Sequence, residues 1–113
     1  MTLILFDPDA QSEFLTAVQY YEDCQYGLGH RFRLVVESAI QNIAEAPFRY
    51  RILKPPFRRY LLPKLPYSIM YSIEPDHIRV IAVAHNKRKH GYWSNRASDI
   101  DDNYRCGPGN TNR

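Results

Sequence analysis

YSIMYSIEPDHIRVIAVAHNKRKHGYW, residues 67–93, reads as a strand, a tight turn and a second strand that runs straight into a cluster of cations. Tyr67, Ile69, Tyr71 and Ile73 alternate with Ser68, Met70, Ser72 and Glu74, and this period of two predicts a half-buried strand. Pro75-Asp76 makes the turn. Ile78 to Ala84 is almost continuously apolar, which predicts a strand that is covered on both faces or central in its sheet. So short a connection makes the two strands antiparallel neighbours. The second strand then becomes Lys87, Arg88 and Lys89, with Tyr92 and Trp93 behind them. Ile78, Val80 and Ala82 are expected to form one buried face, a rigid platform from which that basic end is displayed.

Upstream, Arg51 to Lys54 and Phe57 to Leu62 are further strand candidates, separated by Pro55-Pro56. Prolines this frequent suit edges and turns better than central strands. Before Pro47 the period changes to that of a helix. Phe32, Val35, Val36, Ala39, Ile40 and Ile43 form one stripe, and Ala10, Phe14, Ala17, Val18 and Tyr21 form another. Gly27 and Gly29 interrupt the pattern between them. At the front, Leu3 to Phe6 suits a short strand, Asp7 can cap a helix, and Pro8 fits the first helical position. The fold class is α+β, with an N-terminal strand, a helical hairpin and then a small, mostly antiparallel sheet with the helices on one face.

A chain of 113 residues with 44% apolar and 24% charged content suits one globular domain. Residues 1–97 are assigned to it. The polar stretch 98–113 is expected to be a disordered tail of the kind that a partner can order. No apolar run approaches the roughly 20 residues that span a bilayer, and MTLILF lacks the basic flank of a signal peptide, so no membrane association and a cytoplasmic location are expected. Cys24 and Cys106 match neither a disulfide scaffold nor a zinc site, and free thiols are expected. Charge is unevenly spread. Residues 1–46 carry two basic and seven acidic side chains, whereas 47–97 carry eleven basic and two acidic. Such a block is either a solvated face or a field that attracts phosphate or an acidic protein.

Phosphate loops and His-x-x-x-His or Cys-x-x-Cys pairs do not occur in the sequence, so no cofactor and no metal are predicted. His77 suits a turn. His85, one position past the apolar run, is either a hydrogen-bonded strand end or a functional group. Arg58 and Arg59 share a strand, and Lys87, Arg88 and Lys89 extend another. Cations in such an array stabilise the extra charge of a phosphoryl transition state while a Tyr, His or Lys moves protons. Tyr92 with Arg88 would also stack on unpaired bases. The alternative is that Tyr92 and Trp93 anchor the C-terminal segment on the core.

AEAPFRYR after the second helix, FRRYLLPKLPYSIMYSIE in the sheet and IRVIAVAHNKRKHGYW at the end together resemble the RelE/ParE superfamily of toxins from bacterial type II toxin–antitoxin (plasmid stabilisation) modules. The resemblance spans about residues 3–96. It implies growth arrest by the unrestrained toxin and a cognate antitoxin as partner, with oligomeric state left open. RelE-like members cut messenger RNA on the ribosome, and ParE-like members poison DNA gyrase. Carried over residue by residue, the nuclease set would be Arg59, Lys87, Arg88 and Tyr92. Two further cations of that set fall at Ser68 and Leu61, which carry no charge. One stabilising donor is worth about 2.7–4 kcal/mol, so the ParE-like branch is favoured. On that branch the target-binding candidates are Arg58, Arg59, Lys64, His85, Lys87, Arg88, Lys89 and Tyr92. A ribosome-dependent endoribonuclease is the alternative, and an inactive, antitoxin-binding member is a third.

Overall fold

The computed structural model of the chain describes residues 3–88 and 92–93. β1 (Ile4–Phe6) leads into α1 (Pro8–Cys24) and α2 (Leu28–Glu45), and β2 (Ile52–Lys54), β3 (Phe57–Leu61), β4 (Tyr67–Ile73) and β5 (Ile78–His85) follow. The expected tail, 98–113, lies outside the described residues, as do Lys89 and Cys106. Cys24 is a free, exposed thiol.

Pro8 opens α1 as expected. Asp7 holds the N-cap position, but its side chain caps nothing. Its carboxylate instead accepts from Arg79 on β5, at 2.8 and 2.7 Å, so an ion pair replaces the expected cap. The hairpin turn depends on two glycines. Gly27 adopts φ 86°, a conformation that is cheap only without a Cβ. Gly29 lies inside α2 rather than breaking it, and a Cβ there would come within 2.6 Å of the Val18 carbonyl. The two helices approach that closely because this residue has no side chain. Glu22 closes the turn by accepting from the N–H groups of Gly27 and Gly29, each at 3.0 Å. A carboxylate thereby serves the exposed donors at the start of α2.

The five strands form one sheet in the order β1-β5-β4-β3-β2. β1 runs parallel to β5, and the other pairs are antiparallel. Both helices cover one face. There Phe14, Phe32, Val36 and Ile43 pack on Ile69, Tyr71, Ile78, Val80 and Val83. Burying Phe32 alone is worth about 1.5–3 kcal/mol.

β4 departs from expectation. Its alternation predicts one wet face, yet Ser68 and Ser72 are buried along with the apolar residues. The second face is covered by Phe57 and Trp93, which meet edge to face at 5.1 Å and pack with Met70, Ile81, Ala82 and Ala84. Trp93 itself is thus buried against that face. β5 also departs, because the pairing shifts between Met70↔Ala82 and Tyr71↔Val80 and leaves Ile81 as an extra residue. A bulge of this kind reverses the alternation beyond it. Ala82 therefore joins the outer face, Val83 takes its place under the helices, and His85 ends up on the helix side next to Tyr67.

Candidate functional site

The buried body of β5 ends at His85, and Asn86, Lys87 and Arg88 are exposed in the turn that follows. This turn is braced from several directions. The N–H of Asn86 donates to the Pro66 carbonyl at 2.7 Å, and that of Arg88 donates to the His85 carbonyl at 2.9 Å. The hydroxyl of buried Ser68 donates to Asn86 Oδ1 at 2.5 Å. The N–H of Lys87 donates to His85 Nδ1 at 3.1 Å, which places the proton of a neutral ring on Nε2. Lys87 and Arg88 are thus exposed cations on an immobilised backbone.

Aromatic rings surround this strand end. The ring of Tyr67 meets His85 at 5.1 Å, Phe32 at 5.2 Å and Tyr21 at 6.0 Å. Burial holds the Tyr67 hydroxyl above the usual phenol range, helped by Tyr21, Tyr20 and Glu13, while Arg88 pulls it the other way. The guanidinium of Arg88 lies over the Tyr92 ring at 3.8 Å, close enough for cation–π attraction. The Tyr92 hydroxyl donates to Glu13 Oε2 on α1 at 2.6 Å, and the N–H of Val83 donates to Oε1 of the same carboxylate at 3.0 Å. Sequence reasoning did not single out Glu13. The available signal was a carboxylate at position 13 inside the apolar stripe of Ala10, Phe14 and Ala17.

Of the residues predicted from sequence, His85, Lys87, Arg88 and Tyr92 come together. Arg58 and Arg59 do not share a surface. Arg58 is on the helix side, where its Nη1 donates to the carbonyls of Phe48 at 3.2 Å and Tyr50 at 2.7 Å. Arg59 pairs with Met70, and Met70 pairs with Ala82, which puts its side chain on the outer face. Two strand spacings of about 4.8 Å and three residues of about 3.3 Å each separate its backbone from the end of β5. Lys64 is exposed in the β3–β4 turn at φ 64°. Leu61 pairs with Ser68, and Ser68 has no exposed surface, so its hydroxyl is out of reach of a solvent-borne phosphate. Among the described residues no cluster of three or more His, Cys, Asp or Glu side chains is placed to hold a metal ion, and no helix is long and apolar enough to cross a membrane.

The model of a family described as the ParE toxin of type II toxin–antitoxin system, parDE, matches residues 4–90. Among solved structures, one titled "Chromosomal ParDE TA system from P. aeruginosa" is similar with a TM-score of 0.65 at 11% identity. The match covers 75% of this chain and 96% of that one. At that identity the likeness concerns the fold. A search of the curated proteins found no matching relative.

Proposed function

The chain belongs to the ParE toxin family of type II toxin–antitoxin systems, and from that premise we propose that it is a cytoplasmic toxin that engages DNA gyrase and is neutralised by a cognate antitoxin. The family match over residues 4–90 carries this reading. The exposed cations Lys87 and Arg88, with Tyr92 stacked under Arg88, are the proposed contact with the target, and Arg59 and Lys64 extend its basic field. The ParDE title of the similar structure supports an antitoxin as the second partner.

The nuclease alternative is weaker on chemical grounds. Of its cation positions, one is Leu61 and another is the fully buried Ser68. Arg59 faces the outer side of the sheet, away from the His85 ring. A phosphate at Arg88 would meet an incomplete clamp, and each missing donor costs about 2.7–4 kcal/mol of transition-state stabilisation.

Two assays on purified protein separate the readings. Inhibition of gyrase supercoiling without cleavage of messenger RNA on ribosomes is the expected outcome. Cleavage in the ribosomal A site with supercoiling untouched would replace the proposal with the nuclease reading.

A further inference from the structure

Glu13 spends both carboxylate oxygens on groups far away in sequence. Oε1 accepts from the backbone N–H of Val83, and Oε2 accepts from the Tyr92 hydroxyl. β1 pairs with β5 only as far as Val80. Past that point α1 supplies this side chain in place of a strand carbonyl, and the donor at Val83 is satisfied. The second oxygen then holds Tyr92, whose ring lies under the Arg88 guanidinium and whose neighbour Trp93 is only 2% exposed. Helix, strand edge, aromatic ring and exposed cation therefore form one mechanical chain.

We propose that Glu13 is a positioning residue for target binding: its carboxylate clasps Tyr92 to the edge of β5 and so fixes the direction in which Arg88 is presented. The inference rests on the target-binding role proposed for Arg88. Its physical basis is local. An arginine side chain on a turn has many rotamers, and a ring held at 3.8 Å removes much of the entropy that binding would otherwise cost. The ring can do this only if it is itself immobile. A charge-assisted hydrogen bond of 2.6 Å is among the stronger ways to hold a tyrosine. As a carboxylate within an apolar stripe, Glu13 gives up hydration, and the two bonds it accepts offset that loss.

The single tryptophan of the chain, Trp93, reports on the clasp without reference to any target. Acrylamide quenching of its fluorescence should rise at least about threefold in Glu13→Ala and in Tyr92→Phe. Tyr92→Phe loses only a hydroxyl and guards against a folding defect in the first variant. Glu13→Gln keeps an acceptor for Val83 but loses the charge that strengthens the bond from Tyr92, so its quenching should lie between wild type and Glu13→Ala. For supercoiling inhibition, Glu13→Ala should need about tenfold more protein, the equivalent of 1.4 kcal/mol. In an Arg88→Ala background the same change should add almost nothing, because residues acting through one another are not additive. Unchanged Trp93 quenching in both variants would overturn the clasp, and so would fully additive losses for Glu13→Ala and Arg88→Ala. Should the wild-type protein leave gyrase untouched, the target reading would fall while the quenching result still judged the clasp.

Discussion

Arg58 and Arg88 belong to the same basic block of sequence, and each places its guanidinium over an aromatic ring, Phe48 at 5.5 Å and Tyr92 at 3.8 Å. Their uses differ. Arg58 donates inward to two carbonyls of the segment that follows α2, where Tyr71 also donates to the Pro47 carbonyl at 2.7 Å. At this edge of the sheet, charge holds the chain together. At the end of β5 the backbone is braced by other groups, namely Ser68, Pro66 and His85, and Arg88 is exposed. A charge count sees one block, but backbone carbonyls divide it into a structural half and a displayed half.

The harshest way to break this contrast is to add a cation where the RelE-like pattern has one. Ser68→Arg would bury an unpaired guanidinium between two covered faces and cut the bond to Asn86. The expected loss is about 3–5 kcal/mol, measured by urea unfolding, with no gain of RNA cleavage. Cleavage by a stably folded Ser68→Arg would show that the position is accessible after all.

Alkali probes the structural half next. Burial pushes the Tyr71 hydroxyl up to about 12 from 10.0, partly opposed by Arg58 and reinforced by Tyr50. A phenol whose folded value is raised stabilises the protein fully below the unfolded value of 10.0. That contribution is lost as pH rises through 10 toward 12, about 3 kcal/mol in all. Denaturant midpoints should therefore fall more steeply across this window in the wild type than in Tyr71→Phe. Parallel curves would remove Tyr71 from the account.

Arg58→Ala should cost about 2 kcal/mol, since hydrogen bonds from a charged donor are worth roughly 1.5–3 kcal/mol. That lowers the thermal midpoint by about 8–16 °C. Arg88→Ala should cost at most about 1 kcal/mol, the scale of an exposed cation–π contact. Equal shifts in the two midpoints would erase the distinction between the halves.

Much of this arrangement could be read from residue order, because it rests on local periodicity. The helical stripes, the Gly turn, the β4–β5 hairpin and the burial of β5 on both faces follow from spacings within about ten residues. The exceptions share a physical cause, namely contact between distant segments. Alternation along β4 could not reveal that Phe57 and Trp93 cover its second face. Nothing in IRVIAVAH marks Ile81 as the bulged residue that turns His85 toward Tyr67. Asp7 looked like a cap because its partner, Arg79, is 72 positions away. The candidate site was partly legible. Lys87, Arg88 and Tyr92 stood out as a cluster, whereas the role of Glu13 depends on contacts 70 and 79 positions away.

The central claim, that the displayed half of the basic block engages gyrase, is tested most directly by titrating supercoiling inhibition with Arg88→Ala and Arg58→Ala at a temperature where both are folded. Arg88→Ala should need about tenfold or more protein, as expected for a binding hot spot worth 1–3 kcal/mol, at nearly wild-type stability. Arg58→Ala should keep wild-type potency per folded molecule. Full potency in Arg88→Ala with potency lost in Arg58→Ala would contradict the account.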